Sequence, residues 1–289
     1  MTRAEIIEKG LQMQRDYEKS NKPAPDKVIG IPMWLPVDGE QVYCLHYPSR
    51  NRVKGPAYID IHGGGFLWAY PEEDDALCAN INQTLDIEVY SIEYPKAPLN
   101  MFPAAIESAY RTVAYLYENA TAHNFNPAQM ALGGHSAGGN ITAALLLKNN
   151  REKRFSVCCQ ILDYPCVDMR ADTFTPELFG EGDILSIELM DFFRQAYVLP
   201  KQESDILCNP ILATTEDLRN MPPAVVMTCG NDVLKHQGRQ FAAKLREADV
   251  PVMHLEYPRV THAFDVFGGP DAVRGQDFLI AGLRYFMRI

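Results

Sequence analysis

Gly134-His135-Ser136-Ala137-Gly138 fits the pattern G-x-S-x-G, a sharp strand-to-helix turn that carries a nucleophilic serine. Small residues are needed on both sides because a Cβ at Gly134 or Gly138 would crowd the neighbouring strand and helix. A serine that transfers acyl groups also requires a base, an acid to orient that base, and donors for the oxyanion. On such elbows the acid and then the histidine follow the serine in the chain. His236, His254 and His262 are the later histidines. His254 lies inside the apolar run Val252–Tyr257 and reads as structural, whereas His262 follows that run in a turn Pro258–Thr261 and is the expected base. Asp232 follows the run Ala224–Cys229, about 30 residues before His262, and is the expected acid. It competes with a second role for the same oxygens, the N-cap of a helix beginning near Leu234. His62-Gly63-Gly64-Gly65 supplies a loop whose amides can converge without Cβ interference. The expected oxyanion hole is therefore Gly63, Gly64 and Gly65 with the N–H of Ala137.

These residues need a scaffold that brings loop ends together. Apolar β-branched runs at Pro56–Ile61, Ile87–Ile92, Gln129–Leu132, Phe155–Leu162, Ala224–Cys229 and Val252–Tyr257 predict strands. Helical spacing follows most of them, at Glu73–Leu85, Pro103–Tyr117, Ile141–Leu147, Leu234–Ala248 and Asp271–Met287. This alternation predicts an α/β fold with a mainly parallel central sheet and helices on both faces. Val28–Pro36 and Gln41–Tyr47 form an expected hairpin around Asp38-Gly39. The whole chain, 1–289, reads as one domain. An N-terminal helix, about 1–25, and the insertion 173–199 with its helix Ser186–Tyr197 are the expected small helical cap. Trp68, Phe192, Phe193 and Tyr197 are the candidate pocket aromatics, and the run Glu72-Glu73-Asp74-Asp75 reads as charge bias at a helix start rather than a substrate site.

A net charge of −10 argues against a nucleic-acid or anionic-membrane surface. The N-terminus has no secretory apolar region, and no apolar run reaches the roughly 20 residues of a membrane span. Seven cysteines, none in C-x-x-C spacing, suggest reduced thiols in a cytoplasmic protein and neither a metal site nor a dithiol centre.

Taken together the chain resembles the hormone-sensitive-lipase-like, bacterial family IV, esterases of the α/β-hydrolase superfamily. His62–Phe66 matches the family's HGGG block, and Gly134–Gly139 its GDSAGG block with His135 in place of Asp. Tyr94–Pro98 with Phe102–Ala105, Asn209–Leu212, Asp232–Leu234 and His262–Phe264 are similar to four further blocks. Pro95, Lys96 and Leu99 depart from the pattern, so an ion pair is expected to be missing there. His135 is expected to hydrogen-bond nearby loops rather than serve as a second base. The resemblance implies a Ser136–His262–Asp232 carboxylesterase for short acyl chains, with a small-molecule ester substrate and no cofactor. It leaves the assembly open, a homodimer through a sheet edge or the C-terminal region included. Amide or carbamate hydrolysis by the same triad is the alternative, and a non-catalytic ligand-binding protein is a weaker one.

Overall fold

In a computed structural model of the chain, the structure describes residues 1–175, 178, 184–269 and 271–289. Part of the expected insertion 173–199 therefore lies outside the described residues. Eight strands form a single sheet in the order β1-β2-β4-β3-β5-β6-β7-β8. They are β1 (Ile31–Val37), β2 (Glu40–Tyr47), β3 (Gly55–Ile61), β4 (Glu88–Ile92), β5 (Phe125–His135), β6 (Cys159–Asp163), β7 (Ala224–Asn231) and β8 (Val252–Thr261). β1 and β2 pair antiparallel, as does β2 with β4, and the remaining strands run parallel. Every residue of β4 and β6 is buried. That is the signature of a parallel sheet covered on both faces, and it explains why these segments read as continuous apolar runs.

Successive side chains leave a strand on opposite faces, so the sheet divides the core in two. Ile59 and Ile61 join one cluster with Ile106, Ala109 and Val113 of α3 (Ala104–Glu118), buried residues of α4 (Ala137–Glu152), and Phe241 and Leu245 of α7 (Lys235–Glu247). Tyr58 and Val89 join the other, with Leu77 and Ile81 of α2 (Asp75–Leu85) and Leu279 and Leu283 of α8 (Ala272–Met287).

Among the boundaries that differ from the sequence reading, three have a clear local reason. β6 starts at Cys159 rather than Phe155 because the Phe155 N–H is taken by the Asn149 side chain. The first strand starts at Ile31 rather than Val28 because the amides of Ile29 and Gly30 donate to Asp75. β8 runs through the expected turn to Thr261. Pro258 is accommodated because β8 is an edge strand, and the register shifts opposite Gly230.

α1 (Arg3–Asn21) begins with a Thr2–Glu5 capping box and lies against α5 (Ile187–Tyr197). The Arg3 guanidinium donates to the carbonyls of Gln195 and Ala196 at the end of α5, at 3.1 and 3.3 Å. Gln14 donates to the carbonyls of Leu67 and Ala97. Free carbonyls at a helix C-terminus attract a cation, so Arg3 ties α1 to the end of α5, while Gln14 ties it to the loops after β3 and β4.

Asp75 accepts from the amides of Ile29 and Gly30 and from the Tyr47 hydroxyl, all within 2.8–2.9 Å. Truncating it leaves three donors short of an acceptor. Asp75→Ala should therefore lower unfolding stability by about 2–4 kcal/mol in denaturant titration, while Asp75→Asn should lose less.

Candidate active site

β5 ends at His135, α4 starts at Ala137, and Ser136 stands between them at φ 54° and ψ −117°. A non-glycine residue in that conformation is strained and persists only where its surroundings over-determine it. Here the Ser136 N–H donates to the Asp163 carbonyl at 2.9 Å, and the Ser136 carbonyl accepts from Cys166 at 3.0 Å and Asn140 at 3.2 Å. The flanking glycines permit the approach. A Cβ on Gly138 would lie 1.9 Å from the Ile61 carbonyl oxygen, and one on Gly134 would lie 2.4 Å from it.

His262 stands directly on the end of β8, and its Nε2 is 2.9 Å from Ser136 Oγ. Its Nδ1 is 2.8 Å from Asp232 Oδ2. Asp232 Oδ1 accepts the Leu234 N–H at 2.9 Å. Asp232 therefore closes a turn ahead of α7 with one oxygen and meets His262 with the other; the N-cap position of α7 is Leu234, without a side-chain cap. With Nδ1–H donated to Asp232, Nε2 is left as an acceptor for the serine hydroxyl. The Tyr164 ring meets the His262 ring edge-on at 4.7 Å. His254 hydrogen-bonds to Thr228 instead, at 3.1 Å.

Gly64 and Gly65 of the glycine loop after β3 line the same cavity as Ser136, Ala137 and His262. Gly64 and Gly65 have φ values of 97° and 60°, which side-chain-bearing residues rarely adopt. The N–H groups of Gly64, Gly65 and Ala137 have no protein acceptor among the described residues. Gly63 differs from the expectation: its N–H donates to His135 Nε2 at 3.0 Å, so it does not point at the serine's electrophile. His135 is buried, and its Nδ1 lies 3.3 Å from Asp74 Oδ2. Burial pushes its pKa below the ordinary value, which keeps the ring neutral and Nε2 free to accept. Tyr94 donates to the Gly63 carbonyl at 2.7 Å, and its ring stacks on His62 at 4.3 Å. Glu93 binds both His62 and Lys96. Burial pushes the Glu93 carboxyl up, but these two neighbours outweigh it and hold the group at about 2. An ion pair is therefore present where the sequence departures suggested none, with Lys96 as its cation, while Leu99 is exposed.

The acidic run lies in the first turns of a 3-10 helix (Pro71–Asp74) and of α2, as expected, but its side chains also have specific partners. Glu72 accepts from Tyr43, Asp75 holds the entry to β1, Asp74 faces His135, and Asp74 makes no side-chain cap on α2. Glu73 lines a cavity of about 170 Å³ that opens onto Ser136 and His262. Trp68 and Phe193 line it as expected from the sequence, but Phe192 and Tyr197 do not. Phe192 is turned away from Phe193 by the helical step and lies under the Lys9 ammonium at 4.5 Å. Tyr197, a turn beyond Phe193, stacks on Phe66 at 3.8 Å. Tyr17 of α1 also lines the cavity, together with Met169, Leu189 and Val266. Tyr17 belongs to the apolar stripe of the first helix, but nothing in that spacing tells a core face from a pocket wall.

An elbow serine, a histidine bonded to it and to a buried carboxylate, and three backbone amides without a protein acceptor among the described residues, at the C-terminal edge of a parallel sheet, define a hydrolase of the α/β-hydrolase fold. The comparisons with known proteins agree. A family profile described as the alpha/beta hydrolase fold matches residues 58–266. The chain is 32% identical over 261 residues to the carboxylic ester hydrolase LipN of Mycobacterium tuberculosis, covering 86% of this chain and 68% of that protein. It is 28% identical over 241 residues to an arylesterase of Saccharolobus solfataricus, covering 82% and 76%. Its fold matches EstE1, a thermophilic carboxylesterase from a metagenomic library, with a TM-score of 0.84 at 26% identity over 99% of this chain and 98% of that one. A hyperthermophilic esterase of Pyrobaculum calidifontis matches with a TM-score of 0.83 at 28% identity, covering 99% and 94%. The chain belongs to the hormone-sensitive-lipase-like family of α/β-hydrolases.

The neutral state of His135 has a measurable consequence. Its folded pKa lies below the ordinary 6.5, so on acidification the unfolded chain binds a proton that the folded chain refuses. The stability due to His135 is full above pH 6.5 and is lost as pH falls from there towards the folded value. His135→Asn cannot titrate. The stability of the parent relative to this variant should decline below pH 6.5, by at most about 1.4 kcal/mol per pH unit, in melts recorded from pH 7.5 to 5. A pH-independent difference would contradict the assignment.

Proposed function

We propose that the protein hydrolyses short-chain carboxylic esters through an acyl-enzyme, with Ser136 as nucleophile, His262 as base and Asp232 as the orienting acid. The observation that carries this reading is the relay of hydrogen bonds at 2.9 and 2.8 Å from Ser136 Oγ through His262 to Asp232. His262 Nε2 takes the proton as Ser136 Oγ attacks the ester carbonyl, and Asp232 stabilises the imidazolium that forms. The negative charge on the carbonyl oxygen is received by the N–H groups of Gly64, Gly65 and Ala137, which have no protein acceptor among the described residues. His262 then gives its proton to the leaving alcohol. Water enters, His262 removes a proton from it, and the acid is released with the serine restored. Catalysis by these steps requires no cofactor.

α1 and α5 together are proposed to act as a cap. Tyr17 from the first and Phe193 from the second close one side of the cavity. Its volume of about 170 Å³ suits a small acyl group. The proposed compartment is the cytoplasm, because seven free thiols persist best in a reducing environment. No helix among the described residues is long and apolar enough to cross a membrane.

Ser136→Ala should lower kcat on p-nitrophenyl acetate by roughly 10⁴- to 10⁶-fold with KM little changed. Asp232→Asn should cost about 10⁴-fold, yet leave the melting temperature nearly unaltered, because an amide oxygen still accepts the Leu234 N–H. Ester hydrolysis by the alanine variant at the parent rate would refute the assignment. Across p-nitrophenyl esters from acetate to laurate, kcat/KM should peak at short chains and fall steeply before about ten acyl carbons; a maximum at laurate would rule out the small pocket.

A further inference from the structure

Among the described residues that line the cavity at Ser136, Glu73, in the turn that follows the oxyanion loop, is the single carboxylic acid. Its Oε1 is buried and has no hydrogen-bond partner. The Tyr17 hydroxyl faces the carboxylate, and Lys96, the cation whose field reaches it, is bonded to Glu93. No Lys or Arg is among the described residues that line the cavity, and residues 176–183 contain none. The wall around Glu73 is aromatic. Tyr17 stacks on Trp68 at 5.4 Å and 9°, and the Phe193 ring meets Trp68 edge-on at 4.9 Å and 71°.

A carboxylate in an apolar chamber, short of a counter-charge, is costly unless a ligand brings one. Aromatic faces attract the same kind of ligand, since the ring quadrupole is negative at its face. A carboxylic acid in the same chamber meets the opposite field, so the acid product of ester hydrolysis would be repelled from the site as it forms.

We propose that Glu73, Tyr17 and Trp68 form a recognition site for a positively charged group, and that the preferred substrates are small esters bearing an ammonium. The substrate half of this proposal rests on the ester-hydrolase reading above; the cation site stands on the cavity itself. Burial pushes the Glu73 carboxyl upward, as a site that awaits a cation should.

Choline and 3,3-dimethylbutan-1-ol have nearly the same shape and differ by one charge. Calorimetry on the Ser136→Ala protein should show choline binding at least about tenfold more tightly. Adding Glu73→Gln should reduce that preference to about threefold or less. Equal affinities, no detectable choline binding, or a preference that survives Glu73→Gln would overturn the cation site. Should the double variant fail to fold, the comparison on Ser136→Ala alone decides. In the unmutated protein, kcat/KM for acetylcholine should exceed that for 3,3-dimethylbutyl acetate by a similar factor. Retained choline preference with hydrolysis of neither ester would instead refute the ester-hydrolase reading and the substrate half of the proposal, and leave the cation site standing.

Discussion

The carbonyl of Ile61 at the end of β3 fixes the distance between the two halves of the site. Gly134 and Gly138 of the serine elbow press against it so closely that a Cβ at either position would overlap the oxygen. The next residues after Ile61 are the oxyanion loop. One backbone contact therefore sets where Ser136 stands relative to the amides of Gly64 and Gly65, the proposed oxyanion donors. A close approach of this kind resists continuous deformation, because protein interiors are packed as densely as molecular crystals. The strained conformation of Ser136 persists because its own N–H and C=O are committed to neighbours on β6 and the loop beyond it.

Around this contact lies a buried polar layer. Asp60 accepts from Ser91 at 2.9 Å and from Tyr58 at 3.2 Å, and Asp265 accepts from Tyr164 at 2.7 Å. Burial pushes the carboxyls of Asp60, Asp74 and Asp163 well above the usual range, with a neighbouring carboxyl adding to the effect in each case. Paired acids of this type hold a proton between them rather than two charges. His135 bridges this layer to the oxyanion loop by accepting the Gly63 N–H, while Tyr164 bridges it to His262 by ring contact. His135, which holds the Gly63 amide, is thus neutral, and the layer behind it carries fewer charges than carboxyls.

The elbow, the glycine loop and the alternation of strands and helices were legible in the sequence because each has a local cause: small residues at a turn, or apolar runs buried on both faces. What the sequence concealed depends on position in three dimensions. Nothing local marks Glu73 as a cavity residue while Glu72, its neighbour, faces Tyr43. Phe192 and Phe193 are chemically identical, and only the phase of α5 decides which of them lines the cavity. Asp232 shows the converse. Sequence rules offer two roles for one residue, and the geometry keeps the bond to His262 while the cap becomes a turn bond to Leu234 one step before the helix. Gly63 was indistinguishable from Gly64 and Gly65 until His135 was seen to occupy its amide.

The account turns on a covalent bond to one hydroxyl. Rapid acid quenching of the protein with p-nitrophenyl acetate, followed by peptide mass spectrometry, tests it most directly. An acetyl group on the peptide containing Ser136, absent when His262 is replaced by alanine, is the predicted result. Turnover of the ester with no acyl adduct at any time, or with the adduct on another residue, would contradict it.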